Sequence, residues 1–155
     1  MGSQRRTVVA VLLVLAALAA GPLAACTVVD EPAAADWDHS AERALSDMAS
    51  EVGSARLALD TARRERLWPP YALVLVTEAE EAAGTVEEDL SRLQVPPQRE
   101  QQAEQVLDLL AVAVTTVSEA RSRAVEGRYD DPALLDRMER LASRLTGEAG
   151  RYASG

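Results

Sequence analysis

The sequence predicts an all-α fold, an antiparallel up-down four-helix bundle, preceded by a cleaved signal peptide and a short tether. Three observations carry this expectation. Apolar residues recur at alternating spacings of three and four in four separate segments, the mark of helices with one buried face. Pro or Gly punctuates each short junction, and short junctions favour antiparallel neighbours. Ala fills many inward positions, which lets helix axes approach closely. A three-helix arrangement without any sheet is the alternative. With 155 residues, 48% of them apolar, the chain can build one domain with a real core, since single domains commonly run to about 100–150 residues.

The first helix is expected to open at Asp36 or Asp38 as a cap. It carries Leu45, Met48, Val52, Ala55, Leu59 and Ala62 along one face and ends near Trp68, where Pro69 and Pro70 stop it. A second helix starts with Pro70 at its first position. It turns Ala72, Leu75, Ala79, Ala82, Val86 and Leu90 inward and finishes by about Gln94. Its opening stretch, residues 73–77, is rich in β-branched side chains that lose rotamer freedom in a helix, and the flanking acidic helix formers decide in its favour. The third begins near Pro97, buries Ala103, Leu107, Leu110, Val114 and Val117, and fades at Gly127. Its middle, residues 109–114, is apolar all round, which places it centrally or against another chain, so a homo-oligomer is one expectation. The fourth has the clearest start, Asp131 as cap with Pro132 in the first turn. Leu134, Leu135, Met138, Leu141, Ala142 and Leu145 follow, up to Gly147 or Gly150.

Before these helices the chain reads as an address. Arg5 and Arg6 give a positive start, residues 8–20 are uninterruptedly apolar, and Gly21 and Pro22 break any helix. The apolar run is too short to span a bilayer comfortably. Leu23, Ala24, Ala25 and Cys26 follow at once, and this tetrad resembles the lipobox of bacterial lipoproteins. The resemblance implies cleavage before Cys26 and a thioether-linked diacylglycerol on its thiol. Small side chains before the cut admit an extended backbone to a membrane peptidase. The domain division expected is residues 1–25 as signal peptide, 26–36 as lipidated Cys and flexible tether, and 37–150 as the helical domain. An ordinary secretory peptide or an uncleaved anchor helix is the competing reading. The residues after Arg5 and Arg6 lack the rest of a twin-arginine motif, which favours the general secretory route. Two or more acyl chains hold a protein on a bilayer stably, at about 0.8 kcal/mol per buried methylene. The expected location is the outer face of the bacterial cell membrane.

Removing residues 1–25 takes away Arg5 and Arg6 and no acid. The 16 basic and 25 acidic residues of the whole chain become 14 and 25, a formal charge of −11. Such a surface repels polyanions, so no nucleic acid is expected as a partner. Cys26 is the only cysteine, so no disulfide forms within the chain and stability rests on packing. Lys, Asn, Ile and Phe are absent, the composition of a GC-rich coding sequence.

The expected topology gathers particular side chains at the two ends. Far from the lipid, the first and third junctions bring Arg63, Arg64, Arg66, Trp68 and Tyr71 beside Arg121, Arg123, Arg128 and Tyr129. A basic-aromatic cap suits carboxylates, sugars or an acidic partner surface. The competing explanation is that Arg near helix C-termini answers the macrodipole and aromatics plug bundle ends. The near end should hold Trp37, His39, Leu93, Pro96, Pro97 and Tyr152, with Trp37 covering the core.

No catalytic residue is expected. There is no Gly-x-Ser-x-Gly element, no free Cys nucleophile and no plausible Ser-His-Asp set. The eight Gly are scattered and form no phosphate loop. The lone His39 beside Asp36, Asp38 and Glu42 offers too few nitrogen or sulfur ligands for a metal. Glu78, Glu80, Glu81, Glu87, Glu88 and Asp89 read as a solvated face without a calcium loop. The expectation is therefore a non-enzymatic envelope interaction protein with no cofactor beyond the diacylglycerol on Cys26. The alternative is a small-ligand binding or sensing module.

Overall fold

The computed structural model describes residues 33–153, and among them the chain is all-α, with four helices and no strand. These are α1 (Ala34–Arg63), α2 (Pro69–Ser91), α3 (Glu100–Val125) and α4 (Pro132–Tyr152), with a short 3-10 turn at Pro97–Arg99 leading into α3. The signal peptide, the lipobox and Cys26 lie outside the described residues.

α1 begins at Ala34 with Ala33 as its N-cap and no side-chain cap bond, earlier than Asp36 or Asp38. Ala is the best helix former, so the Ala run at 33–35 extends the helix into the expected tether, and Asp36 falls in the first turn, where the macrodipole favours an acid. At the other end α1 stops at Arg63 rather than near Trp68. The Arg66 N–H donates to the Thr61 carbonyl and the Glu65 N–H to that of Ala62, a paired arrangement that requires a left-handed residue between cap and exit. Glu65 takes that role with φ 58°. The same closure ends α3, where Arg128 donates to Arg123 and Gly127 to Ala124, and there the left-handed residue is a glycine, φ 67°.

Every inward residue expected of α1 is buried: Leu45, Met48, Val52, Ala55, Leu59 and Ala62. In α2 the buried stripe is Ala72, Val76, Ala79, Ala83 and Leu90. Leu75, Ala82 and Val86 are only half-buried, so the stripe is rotated by one residue from the expected one at two positions. In α3, Val106, Leu109 and Ala113 are buried, whereas Leu107 and Val114 are half-buried. The all-round apolar middle of α3 is central on one side, with Leu109 and Leu110 inside, and meets solvent on the other through Ala111 and Val112. α4 starts as expected, the Asp131 carboxylate accepting from the Leu134 N–H at 3.0 Å, and continues past Gly147 and Gly150 to Tyr152.

α1 is the hub. It packs most extensively against α4 and α2, while α3 lies against α2 and, less closely, α1. Trp37 is buried, its ring edge-on to Tyr152 with centroids 5.8 Å apart. Beside it the Arg99 guanidinium clasps Asp38 through two of its nitrogens, at 2.7 and 2.6 Å, fixing the start of α3 next to the start of α1.

Candidate interaction surface at the paired turns

Two junctions meet at one end of the helices. The turn between α1 and α2 and the turn between α3 and α4 are tied by Tyr129, whose hydroxyl lies 3.3 Å from the carbonyl oxygens of both Pro69 and Ala124. Arg63 reaches Asp130 across the same gap at 4.0 Å. Of the nine residues expected to form a basic-aromatic cap, Arg63 and Tyr129 thus tie the two turns together, and Trp68 stands at the first turn as the N-cap of α2.

Most of the arginines are engaged by the chain's own acids. Arg63 and Arg64 both hold Asp60, at 2.8 and 2.9 Å. Arg123 pairs with Glu119 at 3.5 Å and Asp131 at 3.3 Å, and Arg128 pairs with Glu126. Arg121 belongs to the seam between α2 and α3, where it meets Glu80 at 3.2 Å. The Arg63 hydrogen bond, with Arg64 assisting, holds the Asp60 carboxyl below the usual carboxylate range against a smaller opposing effect of burial. Arg66 is exposed and makes no ion pair among the described residues. The cap is therefore close to neutral, and its recognition chemistry is carried by its uncharged side chains and one free guanidinium.

Those uncharged side chains face outward. Trp68 is 73% exposed and Tyr71 53%. Side chains so exposed form a raised surface and cannot line an enclosed cavity. Val74, 47% exposed one turn further along α2, and Val125, 60% exposed at the end of α3, add to the apolar area near these turns. Sequence reasoning missed both valines. The signal was present for Val74, because residues 73–76 are apolar on every face and one of them must meet water.

No protein-family model, curated protein or solved structure matches the chain.

The remaining candidates stand apart from the cap. His39 projects into solvent with its Nδ1 3.8 Å from Glu42, and no group of three His, Cys, Asp or Glu poised for a metal occurs among the described residues. On α2, Glu78, Glu81, Glu88 and Asp89 are exposed, and Glu80 is occupied by Arg121. Among the described residues no helix is long and apolar enough to cross a membrane.

Proposed function

We propose that this chain is a bacterial lipoprotein, anchored through a diacylglycerol on Cys26 at the outer face of the cell membrane, that docks an envelope protein through the paired turns and catalyses no reaction. The lipobox at Leu23, Ala24, Ala25 and Cys26 supports the address. An up-down-up-down bundle is supported by three contacts: the start of α1 meets the start of α3 at Asp38 and Arg99, the end of α4 at Trp37 and Tyr152, and the end of α1 meets the turn before α4 at Arg63 and Asp130. In that arrangement the tether enters at one end and the paired turns occupy the other. A 30-residue helix is about 45 Å long, which sets the paired turns well away from the start of α1.

The observation that carries docking is the clustering of exposed large apolar side chains. Of the seven among the described residues, Trp68, Tyr71, Val74 and Val125 belong to this end. Trp, Tyr and Arg are the residue types that dominate protein interfaces, and exposed apolar area at a neutralised cap has no role in the fold. The complementary partner is a protein surface with an apolar depression and a carboxylate for Arg66.

Site-specific photocrosslinking in the native host tests this reading, with probes at Trp68 and Tyr71 and a control at Glu81 on α2. A defined protein adduct from the two cap positions alone is expected. No cap adduct, or equal capture from all three positions, overturns it.

A further inference from the structure

A second feature lies in the other half of α3 and α4, remote from Trp68. Near their connecting turn these helices are held by the Arg123–Asp131 and Arg137–Glu119 ion pairs, but along the rest of their length they touch little. Between them opens a cleft of about 290 Å³. Val106 and Leu109, both buried, line it with the exposed Val112, and Asp108, Arg144, Glu148 and Arg151 stand around it. Tyr152 closes one side, its ring steadied against Trp37.

The charges in this cleft are arranged unusually. Arg144 and Asp108 border the same cleft, and neither forms an ion pair with any described residue, the other included. Glu148 is already held by Arg151, at 2.8 Å, which leaves lone pairs on its oxygens free. Opposite charges left unpaired beside apolar side chains complement a molecule that carries both charges itself. With Glu148 held by Arg151, a simple anion drawn to Arg144 would still meet Asp108, and a simple cation drawn to Asp108 would leave Arg144 unanswered.

We propose that this cleft binds a free α-amino acid with an apolar side chain. Its carboxylate takes the planar fork of Arg144, its ammonium sits at Asp108 and Glu148, and its side chain covers Leu109 and Val112. The volume agrees, falling at the lower edge of the roughly 300–1,000 Å³ of small-molecule pockets, which suits a single amino acid. This site is independent of the docking cap.

The test uses the full chain in detergent with L-phenylalanine and L-leucine as probes, followed by calorimetry and by amide NMR shifts. N-acetyl-L-phenylalanine, which lacks the ammonium, and phenethylamine, which lacks the carboxylate, are the half-ligands. The variants are Arg144→Gln and Asp108→Asn, both at exposed positions, with circular dichroism to confirm their folding. Saturable binding is expected with shifts at residues 105–112 and 144–152. Each half-ligand and each variant should bind at least about tenfold more weakly. No saturation by either amino acid up to about 10 mM, equal binding of the half-ligands, or undiminished binding by Arg144→Gln overturns the proposal.

Discussion

Glu65 and Gly127 occupy the same position in two copies of one helix ending, and only one of them is suited to it. A left-handed residue with a side chain crowds its own carbonyl, at a cost of about 1–2 kcal/mol that glycine avoids. Glu65→Gly is therefore expected to stabilise the fold by about 0.5–1 kcal/mol, part of the relief being offset by the looser unfolded chain, as read by chemical denaturation. Gly127→Ala should destabilise it by about 1 kcal/mol, and because an added Cβ there meets nothing within 4 Å, that loss is backbone strain alone. Asp60 supplies a pH-dependent counterpart. Its folded carboxyl ionises below the ordinary value of 3.8, so its contribution is present above that pH and is lost as pH falls through the lowered one. Asp60→Asn should melt below the wild type at pH 7, with the difference closing in acid. The Asp60 pairs are local, at spacings of three and four residues at the end of α1. The clasp of Asp38 by Arg99 was not legible in the sequence, because those residues are 61 positions apart and only the packed fold brings them together.

At the scale of elements, the clearest start and stop signals were the most readable. Asp131 with Pro132 fixed the start of α4, and Asp131→Ala should cost about 1 kcal/mol by stripping the Leu134 N–H of its acceptor. The inward face of α1 was equally plain, since its apolar positions alternate with polar ones. α2 was harder, because a stretch apolar on every side supports two stripes one residue apart and only the neighbouring helices choose between them. Val76 and Ala83 lie inside where Leu75 and Ala82 were expected. Val76→Ala should accordingly cost about 2 kcal/mol and Leu75→Ala about half as much, although Leu is the larger residue. The reverse order would restore the expected stripe.

For the whole molecule, the all-α class and the single helical core followed from periodicity. The hub position of α1 did not, because periodicity marks a buried face without saying which helix meets it. The cap was readable in its aromatics. Its near-neutrality was not, since it depends on which acids the arginines find. This division predicts that Trp68→Ala with Tyr71→Ala will leave the melting temperature nearly unchanged, exposed positions contributing within about 0.5 kcal/mol each, while abolishing partner capture from Arg66. The proposed docking role depends on the chain being anchored at a membrane. That claim is tested most directly by intact mass analysis of the protein purified from its native host. The account predicts a chain beginning at Cys26 and carrying a diacylglyceryl adduct, with no adduct and retained residues 1–25 in Cys26→Ala. A wild-type chain with an unmodified Cys26, whether or not residues 1–25 have been removed, would contradict it.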